Sequence, residues 1–103
     1  MTKAEVIAEI ANRTEIDKQK VGIIIETFFQ VVKDKMAEGE NIYVRGFGSF
    51  INKKRAQKIG RNISKKVSIV IPAHFVPNFK PAKEFEERIK NSEVLNSMLT
   101  QNQ

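Results

Sequence analysis

Between Asp17 and Gly39 the chain repeats apolar residues at the helical period: Val21, Ile24, Ile25, Phe28, Val32 and Met36. Ile23, Phe29 and Val31 stand off that stripe, so the apolar arc is wide. A helix with so wide an arc must be covered on more than one side. The chain has 103 residues, enough for one domain. If part of it is drawn out into an arm, too little remains to cover the helix. The pattern therefore predicts that a second copy supplies the cover. The expected state is an obligate, intertwined homodimer, with Phe28, Phe29, Val32 and Met36 near the shared core and Phe47, Phe50 and Phe79 contributing to it.

A shorter helix precedes this one. Thr2 followed by Glu5 has the spacing of a capping box, and Val6, Ile7, Ile10 and Ala11 follow at helical spacing, predicting a helix over about 3–13. Asp17 caps the long helix and Gly39 closes it. The first forty residues thus read as a two-helix hairpin.

Charge divides the rest of the chain. Residues 1–40 carry 6 basic and 8 acidic side chains, residues 41–83 carry 10 basic and none acidic, and residues 84–103 carry 2 basic and 4 acidic, giving the net +6. A single-sign block of that size repels itself and belongs against an anionic partner. Within it, Ile42 and Val44 alternate with polar residues as in a half-buried strand, Gly46-Phe47-Gly48 makes a turn, and Ser49 to Lys54 starts the return strand with Phe50 inward. Beyond Lys53 charge replaces alternation. The stretch 53–66 holds seven cations (Lys53, Lys54, Arg55, Lys58, Arg61, Lys65 and Lys66) with Ile59 and Ile63 among them. The chain returns as the apolar run 67-VSIVI-71 and stops at Pro72. Residues 53–71 read as a two-stranded β-arm. At roughly 3.3 Å per residue its legs reach about 30 Å, enough to pass around the side of a duplex.

The last third holds Pro72, Pro77 and Pro81, which suit edge strands and a helix start. Pro81 is expected in the first turn of a short final helix with Phe85 and Ile89 inward. The tail 91–103 is mostly uncharged, with Val94, Leu95, Met98 and Leu99 suggesting a helical continuation. The expected domains are 1–91, the body with its basic arm, and 92–103, an extension.

Several chemistries find no residues. There is no cysteine, so no disulfide, thiolate metal site or cysteine nucleophile. His74 is the one histidine and is read as structural; no metal and no cofactor are expected. No Walker loop and no nucleophile–base pair occurs, so an enzyme is not expected. No apolar run is long enough to cross a bilayer, and no large basic amphipathic helix suits a membrane surface. The phenylalanines are read as core, since none lies in the arm as a stacking platform would need.

The elements 45-RGFGSF-50, 60-GRN-62, 71-IPA-73 and 76-VPNFKPAK-83, in this order after a helical hairpin, resemble the HU/IHF family of bacterial histone-like DNA-bending proteins. Eight residues separate Asn62 from Ile71-Pro72, as the family pattern has it. The resemblance covers about residues 1–90. It implies an α+β fold: a two-helix hairpin, a three-stranded antiparallel sheet with a long protruding β-arm, a short C-terminal helix and an intertwined dimer. The family's arms wrap the minor groove of double-stranded DNA, and a proline at the arm tip wedges between base pairs. Here Ile63 stands at the place of that proline, 64-SKKV-67 replaces the usual Lys-Thr-Gly-Glu, and Ala82 replaces a glycine.

Isoleucine is itself a side chain that minor-groove benders insert between base steps. Ile63 is accordingly the expected wedge, flanked by Arg61 and Asn62, while Ile59 is expected to pack on the arm. Gly46 and Gly48 lack side chains, which lets backbone N–H groups approach a phosphate, and Phe47 between them is a further candidate. Lys80 and Lys83 flank a helix start that favours anions, and Lys3 is a further candidate. The expected function is sequence-independent binding and bending of DNA, with preference for bent or distorted duplexes, in the cytoplasm and bacterial nucleoid. The alternatives are a sequence-specific heterodimer of the IHF kind, a tail that recruits a protein partner, and RNA binding.

Overall fold

The structure, a computed structural model, describes residues 1–62 and 67–101. It comprises two compact units, Met1–Glu38 and Gly39–Gln103.

The first unit is a helical hairpin, α1 (Lys3–Thr14) and α2 (Lys18–Ala37). Thr2 caps α1: its Oγ1 accepts the Glu5 N–H at 3.2 Å and lies 3.2 Å from the Glu5 carboxylate, to which it donates. The helix runs to Thr14 because Glu15 turns into the left-handed region, where its N–H donates to the Ala11 carbonyl. Asp17 caps α2 by accepting the Lys20 N–H. The helices meet where Ile7 of α1 approaches Gly22 of α2. Ile7 and Val21 are the buried hydrophobic side chains among the described residues. Much of the rest of the greasy arc of α2 is exposed, while Ile25, Val32 and Met36 are half-buried. Ile23 is 68% exposed, Phe28 42% and Phe29 45%, and Ile24 and Val31 are exposed as well.

In the second unit β1 (Ile42–Val44), β2 (Gly48–Arg55) and β5 (His74–Pro81) form an antiparallel sheet in the order β1-β2-β5. β3 (Lys58–Asn62) and β4 (Val67–Ile71) form a separate two-stranded ladder. β5 lies at the sheet edge, which is where a strand tolerates Pro77 and Pro81. The β1–β2 turn closes with the Phe47 N–H donating to the Val44 carbonyl at 3.0 Å, and Gly46 takes φ +81°. Phe47, Phe50, Phe79 and Phe85 then cluster: Phe47 and Phe79 lie 5.1 Å apart, and Phe47 stacks on Phe85 at 5.3 Å. These are favourable separations for aromatic rings. Gly48 is a packing necessity there. A Cβ on it would lie 2.6 Å from the Lys80 carbonyl oxygen and 2.7 Å from the Phe79 ring.

Helices α3 (Lys83–Lys90) and α4 (Glu93–Gln101) end the described chain. The Ala82 N–H donates to the Phe47 carbonyl, anchoring the start of α3 to the turn. α4 is a separate helix rather than a continuation. Ser92 Oγ accepts the Leu95 N–H, and Asn96 Nδ2 donates to the Lys90 carbonyl at the end of α3.

Several expectations need correction. Pro81 does not open the last helix; it pairs with Gly48 as the end of β5, and α3 begins at Lys83 after Ala82. Lys53, Lys54 and Arg55 still pair with Val76, Phe75 and His74 in the first sheet, so the separate arm ladder starts at Lys58. Phe75 is not core: it is 65% exposed, because β1 pairs only with residues 48–50 of β2 and its end of the sheet has two strands. Ile59 is 72% exposed opposite Val70 rather than packed, since a two-stranded ribbon has no second layer.

Candidate nucleic-acid interface

Facing residues on antiparallel strands share one side of a sheet. Gly48, Phe50, Asn52 and Lys54 thus share a side with Pro81, Phe79, Pro77 and Phe75, and this side carries the aromatic cluster. The opposite side pairs Ser49 with Lys80, Ile51 with Asn78, Lys53 with Val76 and Arg55 with His74. Tyr43, opposite Ser49, extends it onto β1. The sheet therefore has an aromatic side and a basic side. A shallow depression of about 630 Å³ lies on the basic side, with Tyr43, Arg45, Gly46, Ser49 and Lys80 in its lining and Ala82 at the α3 start.

The described ion pairs all lie in the helical hairpin: Lys3–Glu26 at 2.7 Å, Arg13–Glu9 and Lys35–Glu38. The cations of residues 41–83 have no acidic residue in their own segment. Lys3, a predicted contact, is committed to Glu26. The hydrogen bond from the Lys3 ammonium, and then its charge, hold the Glu26 carboxyl below the usual carboxylate range against a small opposing effect of burial.

The arm carries Lys58, Gly60, Ile69 and Ile71 on one side and Ile59, Arg61, Ser68 and Val70 on the other. Val67, Ile69 and Val70 are exposed along with Ile59. An exposed apolar ribbon between cations suits the mixed sugar and phosphate wall of a nucleic-acid groove. Asn62 closes the ladder opposite Val67. The expected wedge Ile63 and the cations Lys65 and Lys66 lie outside the described residues.

Of the predicted contacts in the turn, Gly46 and Lys80 line the depression, as does Gly48. Phe47 also serves the fold, since its N–H closes the turn and its ring joins the cluster. Lys83 begins α3. Lys53, Lys54, Arg55 and Lys58 gather at the root of the arm. Phe28, Phe29, Val32 and Met36 lie on α2; Phe50 and Phe79, with Phe47, form a cluster inside one chain. Arg45 is a candidate contact that sequence reasoning passed over. Its signal was its place in 45-RGFGSF-50, inside the acid-free block.

Comparison with known proteins decides the family. The model of the family described as "Bacterial DNA-binding protein" matches residues 1–90. The chain belongs to this family. Its members are architectural DNA-binding proteins of the HU/IHF kind, and this chain is one of them. It is 37% identical over 90 residues to integration host factor subunit beta of Burkholderia cenocepacia, covering 86% of this chain and 84% of that one. It is 37% identical over 93 residues to the subunit of the same name in Marinobacter nauticus, covering 89% and 95%. Its fold matches an Anabaena HU–DNA cocrystal structure with a TM-score of 0.83 at 26% identity, covering 89% of this chain and 100% of that one. HU from Thermotoga maritima matches with a TM-score of 0.61 at 28% identity, covering 86% and 98%. The expected α+β architecture of the HU fold is therefore correct.

Proposed function

We propose that the chain binds duplex DNA independently of sequence and bends it. The basic side of the sheet holds backbone phosphates through Arg45, Lys80, Lys53 and Arg55. Lys83 adds a contact from the start of α3. The arms carry Lys58 and Arg61 along the minor groove, with Lys54 at their root, and Lys65 and Lys66 add further phosphate contacts. The observation that carries this reading is the segregation of the sheet into an aromatic side and a cationic side, with acid-free strands running on into a two-stranded ribbon. The minor groove presents a degenerate code, so shape and phosphate spacing dominate recognition. Ile63 is the wedge that unstacks a base step. That cost of a few kcal/mol is offset by the contacts a bent duplex permits.

The working form is a homodimer. The exposed Ile23, Ile24, Phe28, Phe29 and Val31 of α2 need cover, and a second α2 supplies it. Residues 1–91 are the DNA-binding domain. The extension 92–103 stays out of the interface, because α4 carries no basic residue. The protein works in the bacterial nucleoid, without a cofactor and without chemistry.

The relatives named as integration host factor subunit beta favour one second reading, a heterodimer that selects its sites. Equilibrium binding to a linear duplex and to the same duplex with a nick, from low to physiological salt, tests the first reading. Tighter binding of the nicked duplex by the chain alone is expected, and Ile63→Ala removes the preference. A chain that folds or binds only with a different subunit would establish the second reading instead.

A further inference from the structure

The arm joins the sheet at a break. The β2–β5 ladder stops at Arg55 and His74, the β3–β4 ladder starts at Lys58 and Ile71, and residues 56–57 and 72–73 belong to neither. A notch of about 210 Å³ lies there, with Lys53, Lys54, Arg55, Lys58, Ile71 and His74 in its lining. None of its cations forms an ion pair with a described residue. Four positive charges around a concavity without a counter-charge make a place for an anion.

His74 decides what kind of contact that anion meets. Its Nδ1 lies 3.0 Å from the Pro72 carbonyl oxygen. A carbonyl can only accept, so Nδ1 carries the hydrogen. In the neutral ring Nε2 is then an acceptor, and a phosphate oxygen offers it another acceptor. With a proton on Nε2 the ring donates from both nitrogens and carries a positive charge. No described residue bonds to Nε2.

We propose that His74 is a proton-coupled contact to a backbone phosphate seated at the root of the arm, so that DNA binding and protonation of Nε2 favour one another. Arg55 of β2 pairs with His74 and shares its side of the sheet with Lys53; Lys58 of β3 and the apolar Ile71 of β4 line the same notch, and Lys54 lines it from the opposite side of β2. An arriving phosphate brings the negative charge to which a ring protonated on both nitrogens donates. The coupling is reciprocal: a ligand that favours the proton is favoured by it. Histidine is the side chain that ordinarily changes charge between about pH 5 and 8, so the arm's grip strengthens towards the acid end of that range. The inference rests on the DNA-binding reading.

The test measures duplex affinity at about pH 6 and about pH 8, at constant ionic strength. The wild type is compared with His74→Gln, which keeps a polar side chain but cannot titrate, and with His74→Lys, which keeps a charge at both values. The wild type is expected to bind about tenfold tighter at the lower pH, the size of one charge-assisted hydrogen bond. His74→Gln loses that dependence, and His74→Lys binds at the higher pH as the wild type does at the lower. Calorimetry in two buffers of different ionisation enthalpy should show proton uptake on binding by the wild type and none by His74→Gln. Equal pH dependence in the wild type and His74→Gln overturns the inference while leaving DNA binding intact. No binding at either pH overturns the DNA-binding reading with it.

Discussion

Gly48 has no room for a methyl group, because the Lys80 carbonyl and the Phe79 ring already occupy its Cβ direction. Gly48→Ala must push β2 from β5 or turn Phe79 out of the aromatic cluster. Overpacking of this kind costs about 1–3 kcal/mol, and thermal melting should show the loss directly. Gly46 differs: its Cβ direction is open but its φ is +81°. Gly46→Ala should cost about 1–2 kcal/mol through the backbone alone. An unchanged melting temperature in Gly48→Ala would contradict this account. At Glu26 the hydrogen bond from Lys3 decides, with the charge of Lys3 adding to it. Its folded-state carboxyl titrates below the usual range because Lys3 donates to it. The contribution of the pair is therefore present above the unfolded carboxyl's range and is lost as pH falls through the lowered folded value. An NMR titration of the Glu26 carboxyl should move up towards that range in Lys3→Ala and stay put in Lys18→Ala.

At the scale of elements, the hairpin was legible because its signals are local: Thr2 and Asp17 cap, and the apolar residues recur at the helical period. The end of the sheet was harder to read. Pro81 suits a helix start and an edge strand equally well, and its pairing with Gly48 depends on a residue thirty-three positions away. The exposure of Phe75 likewise follows from where β1 stops rather than from its own neighbours. The candidate site divided the same way. Charge marked Lys53 to Lys58 in one dimension, whereas the company of Arg45 with Tyr43 and Lys80 needed the sheet. α2 supports a prediction of its own. Phe29→Asp places a charge on the exposed apolar face of α2 proposed to meet a second copy, and burying it there without a partner is costly. Sedimentation should show a monomer or an unfolded chain; an unchanged dimer would show that this face is not the contact.

For the molecule as a whole, attraction to phosphate dominates. The logarithm of affinity should fall linearly with the logarithm of salt concentration, with a slope of about −0.9 per phosphate neutralised. Removing one cation that meets a phosphate flattens that slope by about one phosphate's share, and Arg45→Ala and Lys80→Ala should each do so. Lys35→Ala, on α2 and paired with Glu38, should leave it unchanged. Truncation after Asn91 should also leave affinity and slope intact; a loss of DNA affinity would put α4 in the interface.

The central claim is that this chain bends the duplex it binds. The most direct measurement is energy transfer between dyes at the two ends of a short duplex, titrated with the protein to saturation. It is run beside a variant in which a tight turn replaces residues 57–72. The ends should approach as the wild type binds, and the armless variant, where it binds, should leave them apart. Saturated binding by the wild type with no change in end-to-end distance would contradict the claim.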